Sequence, residues 1–163
     1  MGSGNITNNK INIERFIKPS NSVYDKALKE IKNGKKESHW IWYIFPQLKG
    51  LGNSYNSNYY GIKNINEAKE YLNHKILGKR LIEITETLLK VNINDPIEIF
   101  GKIDSIKVKS SMTLFYYASN KENSLFKNVL NKYYNGEYCN NTIRLLNNNL
   151  KKKRLYYKWE VEI

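Results

Sequence analysis

Two short stretches of the sequence carry side chains that could hold a small ligand. Residues 38–47, SHWIWYIFPQ, place four large aromatic residues between a histidine and a glutamine. Indole N–H and phenol O–H groups need hydrogen-bond partners when buried, so leucine and phenylalanine suit a purely structural core better. Aromatic faces also stack on nucleobases, at about 1–3 kcal/mol for each base. Residues 107–111, KVKSS, add two lysines and two hydroxyls that suit phosphate or ribose oxygens.

We expect the two stretches to meet in one cleft. The mixture of large apolar and polar-tipped side chains predicts that Trp42 and Ile44 fill the core while Trp40 faces the ligand. Glycines in the following loop allow backbone amides to approach an anion closely. The predicted ligand-binding residues are His39, Trp40, Gln47, Gly50, Gly52, Arg80, Lys107, Ser110 and Ser111.

A structural alternative exists for most of these residues, and composition alone favours it. In this alternative Trp40, Trp42 and Phe45 are core residues. The hydroxyls of Ser110 and Ser111 then form hydrogen bonds within their own helix.

Arg80 also has two interpretations. At 100° per residue it falls beside Ile76 and Ile84 on the apolar face of its helix. A guanidinium group at the edge of such a face needs an acceptor. Arg80 is therefore either part of a structural ion pair or an anion-binding group.

The strongly positive charge has a source that argues against nucleic acid as the partner. The 163 residues carry a net charge of +12 from 23 lysines and only four arginines. Lysine, asparagine, isoleucine and tyrosine share A- and T-rich codons, so much of the charge follows base composition. Arginine makes the bidentate contacts typical of nucleic-acid surfaces, and it is scarce here. We do not favour nucleic-acid binding, and assign any that occurs to a basic-aromatic tail, residues 151–163.

Several classes of chemistry are disfavoured by what the sequence lacks. With Cys139 as the single cysteine, neither an intramolecular disulfide nor a cysteine-based metal site can form. His39 and His74 are far apart, so we expect no metal, and we expect no cofactor. Nothing beside Cys139 in the sequence marks it as a nucleophile. The longest apolar run is too short for a membrane span and no signal segment is visible, so we expect a cytoplasmic protein.

Hydrophobic periodicity predicts a mainly α-helical protein, a single compact helical domain with few or no short strands. The domain covers residues 13–150, between a disordered N-terminus, residues 1–12, and the basic-aromatic tail. Start and stop signals predict helices over 22–33, from 66, over 75–91, 96–101 and 125–133, and around 143–146. Residues 105–119 suit a deeply buried helix, although MTLFYY, residues 112–117, also suits a strand. The residues expected to be buried include Ile76, Leu81, Ile84, Leu88, Leu114, Val129 and Leu130.

Four blocks of the sequence carry a resemblance to a known family. They are KKESHWIWYIFPQLKGLGNS, YGI, EAKEYLNHKILGKRL and IFGKIDSIKVKSSMTLF. In this order and spacing they resemble the uncharacterised bacterial and fungal family catalogued as domain of unknown function 1810, over about residues 16–146. The resemblance implies a small, mainly α-helical cytosolic protein and brings no established activity.

The order of features also resembles the NADAR family, whose members include N-glycosidases acting on ADP-ribosylated bases and riboflavin-pathway intermediates. Both have an early polar-aromatic block that ends in glutamine, and a helix pair with a glycine and an arginine. Both then have an acidic-x-x-Lys stretch before Met and Phe, here residues 104–115. The NADAR block has a glutamate where this chain has residues 38–40, so the likeness implies an ADP-ribose-like ligand more than it implies catalysis.

Three functions follow from these observations. The first is binding without turnover of a nucleotide or ADP-ribose-like molecule, NAD-derived or cyclic, by a sensor or sequestering protein. The second is hydrolysis of an N-glycosidic bond, with Asp104 and Glu67 as candidate catalytic carboxylates. The third is an RNA- or protein-binding module that uses the tail. A carboxylate facing the aromatic pocket favours the enzyme, and its absence favours the binding protein.

Overall fold

The computed structural model describes residues 11–162, with side chains as far as Lys151. These residues form a 3-10 turn, Ile13–Phe16, and eight α-helices. Within this range the only strand pairing is an isolated bridge between Leu48 and Ile62, so the mainly helical class is confirmed. The helices are α1 (Ile17–Lys32), α2 (Ile41–Ile44), α3 (Tyr55–Tyr59), α4 (Ile65–Asn73), α5 (Leu77–Lys90), α6 (Pro96–Ala118), α7 (Ser124–Tyr134) and α8 (Asn140–Glu162).

The two ends of the chain are described only in part. Of the residues predicted to be disordered, 1–10 lie outside the described part. Ile11 packs against the core, and the backbone N–H of Asn12 donates to Glu67 Oε2 at 3.1 Å. At the other end, the backbone of α8 continues through the predicted tail as far as Glu162. None of the described helices has the combination of length and hydropathy that a membrane span needs.

Helix α6 is the centre of the fold and packs against α4, α7 and α8. Its second half is apolar nearly all round, which is typical of a helix covered on every side. Val108, Met112, Leu114 and Phe115 are fully buried there. Gly101 interrupts the helix with a φ of +79°, so the predicted stop at this residue produces a kink between two helical segments.

The helix faces predicted from periodicity are buried, with one exception. The prediction is wrong for Ile76, which is 40% exposed. Helix α5 begins at Leu77, so Ile76 is a cap residue outside the regular apolar face. The predicted core residues that are buried are Leu81, Ile84, Leu88, Leu114, Val129 and Leu130.

Polar side chains cap several helices where the sequence predicts a start. Asn64 accepts a hydrogen bond from the backbone N–H of Glu67 at the start of α4. Asp95 accepts one from Ile97, with proline at the first position of α6. Helix α1 begins at Ile17, before the start predicted at residue 22, because the preceding 3-10 turn continues directly into it.

A buried carboxylate, Glu30 on α1, fixes the chain that leads into the aromatic run. It accepts hydrogen bonds from the backbone N–H groups of Glu37 at 2.7 Å and Ser38 at 2.9 Å. The Ser38 hydroxyl and Trp40 Nε1, at 3.0 Å, are its other donors. Burial raises the pKa of Glu30, but these hydrogen bonds outweigh burial and lower the pKa to about 2. Glu30 therefore stays ionised at neutral pH and holds residues 37–40 against α1.

Tyrosine hydroxyls at the edge of the core donate to backbone carbonyls of neighbouring helices. Tyr133 donates to the carbonyl of Leu88 at 2.6 Å, and Tyr134 donates to that of Ser105 at 2.7 Å. Burial raises the pKa of Tyr133 to about 12. Each hydroxyl thus has the partner that a buried phenol requires.

We expect Glu30→Gln to lower the free energy of unfolding at pH 7 by on the order of 2–3 kcal/mol, because an ionised acceptor of four donors is lost. The stabilisation by Glu30 is complete above pH 4.5, its ordinary pKa, and is lost as the pH falls from 4.5 towards about 2. Urea unfolding of both proteins between pH 2 and 7 measures the effect. Glu37→Gln, at an exposed carboxylate in the same segment, is the control. A wild-type acid dependence that Glu30→Gln leaves unchanged would contradict this assignment.

A second prediction concerns the contact between α4 and α5 at Gly78. A Cβ atom at this position would lie 1.9 Å from the backbone carbonyl oxygen of Leu72. We expect Gly78→Ala to destabilise the protein by at least about 1–3 kcal/mol, since the backbone of α4 must shift. Lys79→Ala changes the exposed neighbour and should stay within about 0.5 kcal/mol of wild type. Equal unfolding free energies of the two variants would show that the helices are not in such close contact.

Candidate functional site

A cleft lies between the loop after residue 46, the outer face of α6 and the start of α8. Its main cavity has a volume of about 380 Å³. A narrower recess of about 10 Å³ shares Gln47, Ser57 and Lys107 with this cavity, and we refer to the two together as the cleft. The lining residues that bear on the chemistry of the cleft are Trp42, Gln47, Gly52, Lys107, Ser110 and Cys139.

The two tryptophans have the opposite positions to those predicted. Trp40 is fully buried, whereas Trp42 is partly exposed and lines the cleft. The reason is that residues 41–44 form a helical turn, which places positions 40, 41, 44 and 45 on the inner face and position 42 outside. Ile44 is buried as predicted. The structure therefore corrects the assignment of Trp40 to the ligand face and of Trp42 to the core.

Trp42 and Lys107 form a pair in the narrower recess of the cleft. The Lys107 ammonium lies 5.3 Å from the centroid of the Trp42 ring, within the range of a cation–π contact. Trp42 Nε1 is buried and has no hydrogen-bond partner among the described residues. The pair places an aromatic ring and a positive charge in the wall of the cleft.

Asp104 lies behind this pair and is not part of the cleft lining. One of its carboxylate oxygens lies 2.8 Å from Lys36 Nζ, and the other lies 3.7 Å from Lys107 Nζ. Lys36 in turn lies 5.1 Å from the ring centroid of Trp40. The carboxylate thus connects the two tryptophans through the two lysines, and it orients Lys107.

The backbone of the loop places Gln47 and Gly52 in the cleft. The carbonyl of Gln47 accepts a hydrogen bond from the N–H of Ile62 at 2.9 Å, beside the isolated bridge. A Cβ atom at Gly52 would lie 2.6 Å from Ser57 Oγ, so the loop can approach α3 only with glycine there. Gly50 has a φ of +105° and is exposed outside the lining.

Two predicted site residues are held in structural contacts elsewhere. Glu67 is fully buried, and one of its oxygens lies 2.5 Å from Arg15, in an ion pair that anchors the N-terminal turn. Arg80 donates to the Ser20 hydroxyl at 2.9 Å and to Asn21 at 2.8 Å, both on α1. These contacts join α5 to α1 and agree with the structural interpretation of Arg80. The predicted ion pair is replaced by hydrogen bonds to neutral side chains.

His39 and Ser111 also lie outside the cleft lining. The side chain of His39 is exposed, and its backbone carbonyl accepts a hydrogen bond from the Tyr43 hydroxyl at 3.1 Å. Ser111 is fully buried, and its hydroxyl has no hydrogen-bond partner in the described part of the chain. The cleft therefore brings together Gln47, Gly52, Lys107 and Ser110 from the predicted set.

Sequence reasoning missed Cys139, which lines the cleft directly before α8. Ser110 Oγ donates to its sulfur at 3.2 Å, and the Cys139 N–H donates to Thr113 Oγ1 at 2.9 Å. Burial raises the pKa of the thiol. The hydroxyls of Ser110 and Thr142 and the first amides of α8 more than offset that, so the pKa lies below its ordinary value. The available signal was the position of the cysteine at a helix start, but the hydroxyls of Ser110 and Thr113 come from residues distant in the sequence.

Other possible sites in the described part are less informative. A second cavity, of about 410 Å³, lies between the start of α4 and α8 and is lined by several asparagines. None of the predicted site residues lines this second cavity. The described residues contain no group of three or more side chains suited to hold a metal ion.

Comparisons with known proteins assign the chain to a family. A family profile described as "Protein of unknown function (DUF1810)" matches residues 10–146. The crystal structure of the conserved hypothetical protein Rv1873 from Mycobacterium tuberculosis is similar, with 41% sequence identity and a TM-score of 0.81. The similarity covers 83% of this chain and 96% of that protein. A search of the curated proteins gave no match. The chain therefore belongs to the DUF1810 family.

Proposed function

We propose that the protein binds a small anionic ligand of the nucleotide type in the cleft and does not transform it. The observation that carries this proposal is the partly exposed Trp42 ring beside the Lys107 ammonium, which also lines the main cavity. A nucleotide combines a ring that stacks on an aromatic face with a phosphate that pairs with lysine.

The size of the cleft narrows the choice among the nucleotides expected from the sequence. A volume of about 380 Å³ is near the lower end of the range of about 300–1,000 Å³ for small-molecule sites. This volume suits a mononucleotide or a cyclic mononucleotide. An ADP-ribose or NAD molecule would extend beyond the rim.

The glycosidase alternative is less well supported. Hydrolysis of an N-glycosidic bond needs a carboxylate that reaches the sugar. None of the described residues that line the cleft is acidic. Asp104 is engaged by two lysines, and Glu67 is enclosed by its ion pair with Arg15.

The third alternative, an RNA- or protein-binding module, depends on residues 151–163. Their side chains beyond Lys151 lie outside the described part. We therefore do not propose this function.

We expect Trp42→Leu to weaken the binding of adenosine monophosphate or cyclic adenosine monophosphate by about 1–3 kcal/mol, the contribution of one stacked base. Isothermal titration calorimetry on both proteins measures this loss. Trp40→Leu is the matched control, because Trp40 is fully buried and donates to Glu30. That variant should lower the melting temperature well below that of Trp42→Leu. Full affinity in Trp42→Leu, or no binding of either nucleotide by wild type, would rule out the proposal.

A second pair of variants tests the charge in the cleft. We expect Lys107→Gln to weaken nucleotide binding by about 1.5–3 kcal/mol, as for a hydrogen bond to a charged group, and to reduce its salt dependence. Lys102→Gln removes the same charge from an exposed position on the same helix, outside the cleft lining. Equal losses in the two variants would mean that lysine acts through net charge and not through a contact in the cleft.

A further inference from the structure

Cys139 lines the cleft, and its sulfur has neighbours that favour its ionised form. Cys139 is partly exposed and lines the 380 Å³ cavity together with Lys107, Gln47 and Asn141. Ser110 is almost fully buried, and its hydroxyl donates to the sulfur at 3.2 Å. Hydroxyl, amide and cationic side chains therefore line the same cavity as Cys139.

Thr142, in the first turn of α8, carries a second hydroxyl that bears on the sulfur. It is fully buried, and its hydroxyl forms no regular hydrogen bond with a described residue. The Thr142 hydroxyl and the backbone N–H groups of Asn141 and Thr142 lower the pKa of the Cys139 thiol and so favour the thiolate. A thiol at the start of a long helix, with hydroxyl donors and an open cavity before it, has the surroundings of a reactive cysteine.

The charged groups near the sulfur are consistent with an anionic partner. Lys107 lines the same cavity. Glu137, two residues before Cys139, lies 3.5 Å from Lys109 Nζ, so its charge is partly offset by an ion pair. No acidic residue is among the described residues of the lining.

We propose that Cys139 is a thiolation site that reacts in the cleft with small disulfides carrying carboxylate groups. The thiolate attacks one sulfur of the small disulfide, and a new S–S bond forms to Cys139. The original S–S bond breaks, and its electron pair leaves on the second sulfur, which takes a proton from water. The chain has no second cysteine to resolve the product, so the mixed disulfide persists until an external thiol attacks it.

The adduct would occupy the cleft and exclude the nucleotide-type ligand. This consequence alone rests on the proposed function. The reaction itself does not, because it needs only the sulfur, its neighbours and the cavity.

The experiment measures the rate of adduct formation with oxidised glutathione at pH 7 by intact-protein mass spectrometry. The single cysteine makes the modified position unambiguous. We expect the native protein to react several-fold faster than the same protein unfolded in urea. Each unit of lowered pKa increases the thiolate tenfold but reduces its nucleophilicity, for a net gain of about threefold. A native rate equal to or below the unfolded rate would overturn the proposal.

Variants identify the groups that increase the reaction rate of Cys139. Thr142→Val keeps the shape of the side chain and should reduce the native rate several-fold, as should Ser110→Ala. Thr85→Val is the matched control, since Thr85 is buried on α5 and donates to the carbonyl of Leu81. It should leave the rate unchanged. If both cleft variants, folded by circular dichroism, react as fast as wild type, the hydroxyls do not activate the sulfur and the assignment fails.

A neutral disulfide tests the choice of partner. We expect the native-to-unfolded rate ratio to be larger for oxidised glutathione than for bis(2-hydroxyethyl) disulfide, and Lys107→Gln should remove that difference. Equal ratios for the two disulfides in wild type would overturn the assignment of an anionic partner. The assay contains no nucleotide, so its result is independent of whether the proposed ligand binds.

Discussion

The carboxylate of Glu30 is the constraint on which the geometry of the cleft depends. A charge enclosed by protein must be surrounded by donors, and residues 37–40 supply all four of them. Once these donors are engaged, the direction in which the chain enters α2 is fixed. Trp40 is then held in the core, and Trp42 is left on the outer side of the turn beside Lys107. The aromatic wall of the cleft is thus a consequence of a hydrogen-bond requirement on a different helix.

The parts of the fold that sequence could predict are those set by local signals. The Asp95 cap and the apolar stripe of α7 depend on residues within a few positions of each other, and both were found. The orientation of the aromatic run was not, because the alternation of residue types in the run predicts an element with two opposite faces. The run is instead a helical turn, in which neighbours 40 and 41 share a face. A run of five or six residues is too short to distinguish the period of a strand from the period of a helix.

The site was harder to predict because its residues acquire their roles from distant partners. Glu67 is paired with a residue 52 positions away, and Arg80 bonds to residues 59 and 60 positions away. Their chemistry is committed to structure by contacts that no spacing rule reveals. Cys139 shows the converse, because a neighbourhood of asparagines gives no sign of the serine that approaches it from α6. Gln47, Lys107 and Ser110 were correctly placed together, since both stretches contain polar groups in otherwise apolar surroundings.

The tyrosines whose hydroxyls reach helix carbonyls bear on how the sequence can drift over evolutionary time. At Tyr133 and Tyr134 only the hydroxyl extends beyond the packed ring to a carbonyl. Exchange with phenylalanine removes one hydrogen bond, about 1 kcal/mol, and leaves the ring packing in place. The codons of the two residues differ by a single base, so such positions can change identity without repacking. A chain with 13 tyrosines and five phenylalanines can thereby keep a close-packed helical core under strong compositional pressure.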